Sequence, residues 1–132
     1  MEDYQAAFIE RHIDTETLCQ SGRKVAAMHF GGVTIECLLK SIICSNTIPG
    51  GASQYLMTHS YTALLRKYPK LQSRAIATPK VREWLDEVEN PTSQPFINMR
   101  YCGIEPNDAS YKRWLYAYKC LTGWLQREAT KL

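Results

Sequence analysis

Patterns that identify several common protein classes are missing from this 132-residue sequence. Its five cysteines form no CxxC pair and no zinc-finger spacing, so we expect reduced thiols and no metal site. No strand-like alternation of any length and no internal repeat occurs, which argues against sheet and solenoid folds. The N-terminus has no signal-peptide pattern, and the longest uncharged run, 41–65, is broken by Pro49, Gly50 and Gly51. We therefore expect a cytoplasmic protein without a membrane span.

The charges are few but segregated along the chain. A net charge of +3 is too small to predict nucleic-acid binding by itself. Residues 1–20 carry five acids and one basic residue, Arg11, whereas residues 66–82 carry six basic residues and no acid. Charge blocks of this kind are most often solvated faces. The basic block remains a candidate surface for phosphate or for an acidic partner.

The apolar residues predict one all-α domain, an up-and-down bundle of four to five helices over residues 1–132. With 45% hydrophobic and 22% charged residues, the chain has the composition of a globular protein. In the first helix, over residues 3–19, Ala6, Ile9 and Ile13 fall at helical spacing, with Tyr4 and Phe8 beside them. His12 lies among charged neighbours, and we expect it to be a solvated surface histidine.

The centre of the bundle is predicted to be a long second helix from about Arg23 to about Cys44. Its apolar residues cover more than half of the circumference, which is typical of a buried helix. Gly31 and Gly32 each cost about 1 kcal/mol in a helix relative to alanine. We expect the close approach of a neighbouring helix backbone to offset that cost.

Three ionisable side chains share one face of this helix. They are His29, Glu36 and Lys40, and the last two are four residues apart, so that they can pair. We predict that Glu36 is paired to a cation, either Lys40 or an arginine such as Arg100 from across the bundle, because a buried unpaired carboxylate is costly. His29 is predicted to be half-buried and hydrogen-bonded to a neighbour.

Capping signals locate the later helices. Thr58 is predicted to cap a short helix that ends before Pro69, with His59 bonding a free backbone group at its start. Thr78-Pro79 begins a helix that ends at Asn90. Residues 90–107 are predicted to be irregular. Asn107 or Asp108 caps a last helix to about Ala129 with an aromatic stripe. We predict large burial for three side chains: Phe30, Trp84 and Trp114.

The order of these segments resembles the HEPN family (higher eukaryotes and prokaryotes nucleotide-binding). The resemblance is carried by SGRKVAAMHFGGVTIECLLKSII with its Glu36–Lys40 ending, by THSYTALL at Thr58–Leu65, and by Arg100-Tyr101 before the last helix. It covers residues 21–132. It implies a helical bundle that is usually a homodimer. Some members are metal-independent endoribonucleases, often toxins neutralised by a small nucleotidyltransferase partner, and others are non-catalytic binding or scaffold modules.

The cleavage motif that the resemblance implies, an arginine followed after four to six residues by a histidine, is incomplete. After Arg100 the three relevant positions hold Glu105, Pro106 and Asn107, and no histidine follows His59. The spacing does occur between Arg23 and His29, but in the long helix.

Two functions stay open on this sequence. One is a non-catalytic dimeric module that binds a partner protein, a nucleotide or RNA. The other is a ribonuclease that uses Arg100 with His29 or His59, for which RNA cleavage needs a base and a cation. The candidate catalytic residues are Arg100 and His29. The candidate binding residues are Glu36, Lys40, His59 and Tyr101. No cofactor and no metal is predicted.

Overall fold

A computed structural model describes residues 3–46 and 56–132, which form six α-helices, two 3₁₀ segments and no strand. The helices are α1 (Tyr4–Gln20), α2 (Lys24–Asn46), α3 (Tyr61–Arg66), α4 (Pro69–Ala77), α5 (Pro79–Glu89) and α6 (Asp108–Ala129), with 3₁₀ segments at Pro91–Ser93 and Phe96–Tyr101. The predicted all-α bundle around a long second helix is confirmed. Most of the predicted loop at 45–57 lies outside the described residues.

Helix α2 is the core of the fold. It packs against α1, α6 and the 3₁₀ segment Phe96–Tyr101, and Ala27, Ile35 and Leu39 are completely buried. By length and composition α2 could also cross a membrane, a test that the core helix of a soluble protein passes equally well. In this fold 67% of its most apolar window is buried inside the protein.

Aromatic side chains pack against the two glycines of α2. A Cβ atom at Gly31 would overlap the ring of Trp114, and one at Gly32 would overlap the ring of Phe96. The prediction that a helix backbone approaches here was therefore wrong. The packing of two completely or nearly completely buried aromatic rings (Trp114 0%, Phe96 1% exposed) offsets the helix cost of the glycines.

Helix α1 turns a different face to the core from the one its spacing suggested. Ile9 and Ile13 remain 49% and 52% exposed, whereas Phe8 and Thr15 are buried. The three residues whose spacing predicted this helix, Ala6, Ile9 and Ile13, are exposed, because α1 also has apolar residues on another side. The side with the larger aromatic Phe8 removes more apolar area from water when it packs on α2.

Helix α4 was not predicted from the sequence. Pro69 was interpreted as the end of α3, but it occupies the first turn of α4, where its missing N–H group is not needed. Ser60 rather than Thr58 caps α3, because the Ser60 hydroxyl accepts a hydrogen bond from the Ala63 N–H at 3.2 Å. Helix α5 begins at Pro79 as predicted.

The aromatic stripe of α6 is part of the core. Trp114 is completely buried and stacks on Tyr118, with 5.3 Å between ring centroids. Of the two predicted alternatives, Asn107 caps the helix and accepts the Ser110 N–H at 2.8 Å. Trp84 and Phe30 are only partly buried, so the burial prediction holds fully for Trp114 alone.

Candidate functional site

Three of the four predicted binding residues meet at one place on the surface of α2. The Lys40 ammonium donates to Glu36 Oε2 at 2.7 Å, one helical turn away. His59, in the segment before α3, contacts Glu36 Oε1 through Nδ1, also at 2.7 Å. Glu36 is thus paired to a cation as predicted, and the cation is Lys40. The predicted backbone bond of His59 was wrong, since its Nδ1 is bonded to a carboxylate 23 residues away.

Burial differs sharply within this cluster. The side chains of Glu36 and Lys40 are only 9% and 10% exposed, and that of His59 is 58% exposed. The ring of Tyr4 covers Lys40, with the ammonium 5.5 Å from the ring centroid. A buried charge is tolerated when it is paired and hydrogen-bonded. The partners of the two Glu36 oxygens therefore stabilise the buried carboxylate.

The cluster gives His59 a defined chemistry. A carboxylate can only accept a hydrogen bond, so Nδ1 of His59 carries a proton and Nε2 is the remaining ring nitrogen. A buried carboxylate that fixes the tautomer of an exposed histidine in this way prepares Nε2 to accept a proton or a hydrogen bond. Both oxygens of Glu36 accept a hydrogen bond, one from Lys40 and one from His59.

Phe96 connects this cluster to the other candidate histidine. Its carbonyl oxygen lies 3.2 Å from Nδ1 of His29, and its ring lies edge-on to His59 with 6.3 Å between centroids. Tyr61 stacks on the same ring and donates its hydroxyl to the Gly32 carbonyl at 2.7 Å. The prediction of a half-buried, hydrogen-bonded His29 is confirmed.

Arg100 and Tyr101 contact each other. The Arg100 guanidinium lies over the Tyr101 ring, 4.9 Å from its centroid, and Tyr101 is 78% exposed. Ile104, three residues on, is 82% exposed. Within the described residues no ion pair joins Arg100 to Glu36. The alternative prediction that Arg100 pairs with Glu36 was therefore wrong.

A second polar cluster was not found by sequence reasoning. The Tyr118 hydroxyl lies 2.7 Å from Nδ1 of His12, and Nε2 of His12 lies 2.7 Å from a carboxylate oxygen of Glu16. Burial raises the pKa of Tyr118 to about 12, so its hydroxyl stays protonated and can donate to the ring. The prediction of a solvated His12 was wrong. Its helix neighbours are charged, but its partner Tyr118 is distant in sequence and could not be identified from spacing.

A cleft of about 310 Å³ lies between α3, α4 and α5. Leu65, Ala75 and Leu85 are apolar parts of its lining, and Arg82 and Glu89 are charged parts. Burial raises the pKa of Glu89, while a hydrogen bond from the Tyr61 backbone N–H opposes that rise. This cleft was not predicted, because α4, which forms one of its walls, was not predicted either.

The described cysteines and acidic side chains were considered as metal ligands. All five cysteines lie within the described residues, are partly buried and form no disulfide bond. In the ranges 3–46 and 56–132, no group of three or more histidine, cysteine, aspartate or glutamate side chains is arranged to hold a metal ion.

Comparison with known proteins adds no relative to this description. No protein-family model matches the chain, and no curated protein and no solved structure matches it.

Proposed function

We propose that this chain is a HEPN-like helical bundle that acts in the cytoplasm as a non-catalytic, dimeric binding or scaffold module. It engages a partner protein, such as a small nucleotidyltransferase, or a nucleotide or RNA. Support for the family comes from the order of features along the chain: the Glu36–Lys40 end of the long helix, the short helix after His59, and Arg100-Tyr101 before the last helix.

The observation that carries the proposal is the exposed pair of Arg100 and Tyr101. A guanidinium stacked on an accessible aromatic ring, with Ile104 close by in sequence, offers a flat cationic and apolar surface. Such surfaces stack on bases or serve as anchors in protein interfaces. The same segment has no histidine to take a proton from a ribose hydroxyl, so it is suited to binding and not to cleavage.

The test compares binding by the wild type and by the double variant Arg100→Ala with Tyr101→Ala. The tagged protein is purified from its native cell, and bound proteins and nucleic acids are identified and then titrated individually. We expect the double variant to weaken binding by more than about tenfold, as hot-spot residues do. Tyr116→Ala is the matched control, because Tyr116 is 62% exposed on α6. Equal binding by the double variant and the wild type would overturn the proposal.

One observation favours a second function, a metal-independent endoribonuclease that is the toxin of a toxin–antitoxin pair. His59 is held at Nδ1 by the buried Glu36 while most of its ring is exposed. This is the arrangement that a general base needs, and Arg100 would supply the positive charge for the phosphate. His29 is the alternative base, although its Nδ1 already contacts the Phe96 carbonyl.

The two functions are separated by an RNA cleavage assay in a chelating buffer, together with growth of cells that express the protein. Variants His59→Ala, His29→Ala and Arg100→Ala are compared with Met57→Ala, a control at a residue that is 88% exposed. If RNA cleavage is lost in one of the His59, His29 or Arg100 variants and kept in the control, the protein is a nuclease. The non-catalytic proposal is then excluded. If the wild type shows neither RNA cleavage nor a growth defect, the nuclease proposal is excluded.

A further inference from the structure

The cleft between α3, α4 and α5 has the size and the lining of a small-molecule site. Its volume of about 310 Å³ lies at the lower end of the range for ligand pockets in proteins, about 300–1,000 Å³, so its occupant is expected to be small. All three helices contribute apolar lining: Leu65 on α3, Ala75 and Ile76 on α4, and Leu85 on α5. This part of the cleft can remove an apolar group of a ligand from water.

Charged side chains of both signs line the same cleft. They are Arg82, Asp86 and Glu89 of α5, four and three residues apart, so they lie on one face of that helix. Side chains at these spacings have Cβ atoms about 5–6 Å apart. Helix α5 therefore presents to the cleft a guanidinium, then one carboxylate, then a second carboxylate.

Within residues 3–46 and 56–132, none of these three side chains forms an ion pair. Asp86 accepts a hydrogen bond from the Asn90 side chain at 3.1 Å, and Glu89 accepts one from the Tyr61 N–H. Burial raises the pKa of Glu89, and the nearby charge of Asp86 raises it further. An ammonium group beside the two carboxylates would offset their repulsion, and a carboxylate would pair with Arg82.

We propose that this cleft binds a free α-amino acid with an apolar side chain. The ammonium group lies between Asp86 and Glu89, the carboxylate pairs with Arg82, and the side chain lies against Leu65 and Ala75. In an α-amino acid the two charged groups are joined through one carbon atom, so they can reach protein side chains that are one helical turn apart.

The charges of the cleft select a free amino acid over related ligands. A ligand with a single charge would leave either the guanidinium or the two carboxylates without a partner. A residue inside a polypeptide has neither charge at its α-carbon, and a terminal residue has only one. The free amino acid supplies both charges and the apolar group in one small molecule.

This binding site is additional to the function proposed above. Arg100 and Tyr101, which carry that proposal, do not line the cleft, and neither do Glu36 and His59. Variants of the cleft therefore leave those side chains unchanged, so that either proposal can fail while the other holds.

Isothermal titration calorimetry of the full chain tests the proposal, with L-leucine, L-isoleucine, L-methionine and L-phenylalanine as ligands. We expect at least one of the four to bind with a dissociation constant below about 1 mM. Analogues of the tightest ligand then lack one group each. For leucine they are isopentylamine, which lacks the carboxylate, isocaproate, which lacks the ammonium group, and glycine, which lacks the apolar side chain. We expect each analogue to bind more than about tenfold more weakly.

Two variants locate the bound amino acid in the cleft. Glu89→Gln removes a half-buried charge but keeps an oxygen that can accept the Tyr61 N–H, and we expect binding more than about tenfold weaker. Arg82→Gln removes an exposed charge, so the expected loss is about threefold to fivefold. Glu83→Gln and Lys80→Gln are the matched controls, because both residues are exposed at the start of α5 and neither lines the cleft. The controls should bind as the wild type does.

Each outcome decides the proposal. Weaker binding in both cleft variants, with wild-type binding in both controls and an unchanged circular dichroism spectrum, supports it. If none of the four amino acids binds, the proposal is wrong. It is also wrong if isopentylamine or isocaproate binds as tightly as leucine, because one charge is then sufficient. If either cleft variant binds as the wild type does, the amino acid does not occupy the cleft as proposed.

Discussion

Gly32→Ala is the substitution with the most decisive expected effect on the fold. The added methyl group would overlap three atoms of the Phe96 side chain, which is 1% exposed and stacked on Tyr61. Two of these atoms belong to the ring and the third is Cβ, so a small rotation of the side chain cannot relieve the overlap and Phe96 must leave its position. The 3₁₀ segment that carries Phe96 would move with it.

The magnitude follows from two opposing terms. Alanine in a helix is favoured over glycine by about 1 kcal/mol. Removing a fully buried phenylalanine side chain from the core costs about 3 kcal/mol. We therefore expect Gly32→Ala to lower the free energy of unfolding by about 2 kcal/mol, measured by urea denaturation followed by circular dichroism.

Gly123→Ala is the matched control, because Gly123 also lies inside a helix. Its Cβ atom would lie 3.1 Å from the guanidinium end of Arg127, an exposed and flexible side chain that can move. Here the helix preference of alanine over glycine should exceed the cost of moving Arg127. The free energy of unfolding should therefore rise by about 0.5–1 kcal/mol. If both substitutions stabilise the protein, the Phe96 ring does not pack against Gly32.

Two further predictions concern ion pairs. Glu36→Ala should lower the free energy of unfolding by about 3 kcal/mol, because it leaves Lys40 buried without its carboxylate, and adding Lys40→Met should restore much of the loss in urea denaturation. The hydrogen bond from Arg74 lowers the pKa of Glu128, so its stabilisation is present above the ordinary glutamate pKa and is lost as pH falls through the lowered value. Since the Arg74 side chain is 36% exposed, the difference in unfolding free energy between wild type and Arg74→Gln should be at most about 1 kcal/mol at pH 7 and should vanish near pH 2. A difference that persists unchanged in acid would contradict this.

The parts of the fold that could be predicted depend on local sequence. Pro79 and Asn107 locate helix starts because the proline ring and the Asn107 cap act within one turn, whereas the Thr78 hydroxyl donates to the Arg74 carbonyl and does not cap α5. Helix α4 was missed because Pro69 is compatible with both the end of one helix and the start of the next. The face of α1 could not be chosen, since Phe8 and Ile9 are both apolar and only the shape of α2 decides between them.

The candidate site divides along the same line. The pairing of Glu36 with Lys40 follows from four-residue helical spacing and was predicted. The bond from His59 to Glu36 joins residues 23 positions apart in the sequence. Helical spacing rules apply only within one helix, so they do not predict this contact. Burial of a carboxylate implies that it has partners, but it does not identify which histidine supplies the second one.

The 3₁₀ segment Phe96–Tyr101 sets a condition on chain length. With three residues per turn, Phe96 and Met99 fall on the same side, and both are 1% exposed. Asn98, Arg100 and Tyr101 are all exposed. Deleting or inserting one residue between Phe96 and Arg100 would rotate everything after it by about 120°, which would turn the guanidinium and its ring toward α2. Exchanges of side chains at the outer positions are compatible with the fold, whereas a change in the number of residues is not.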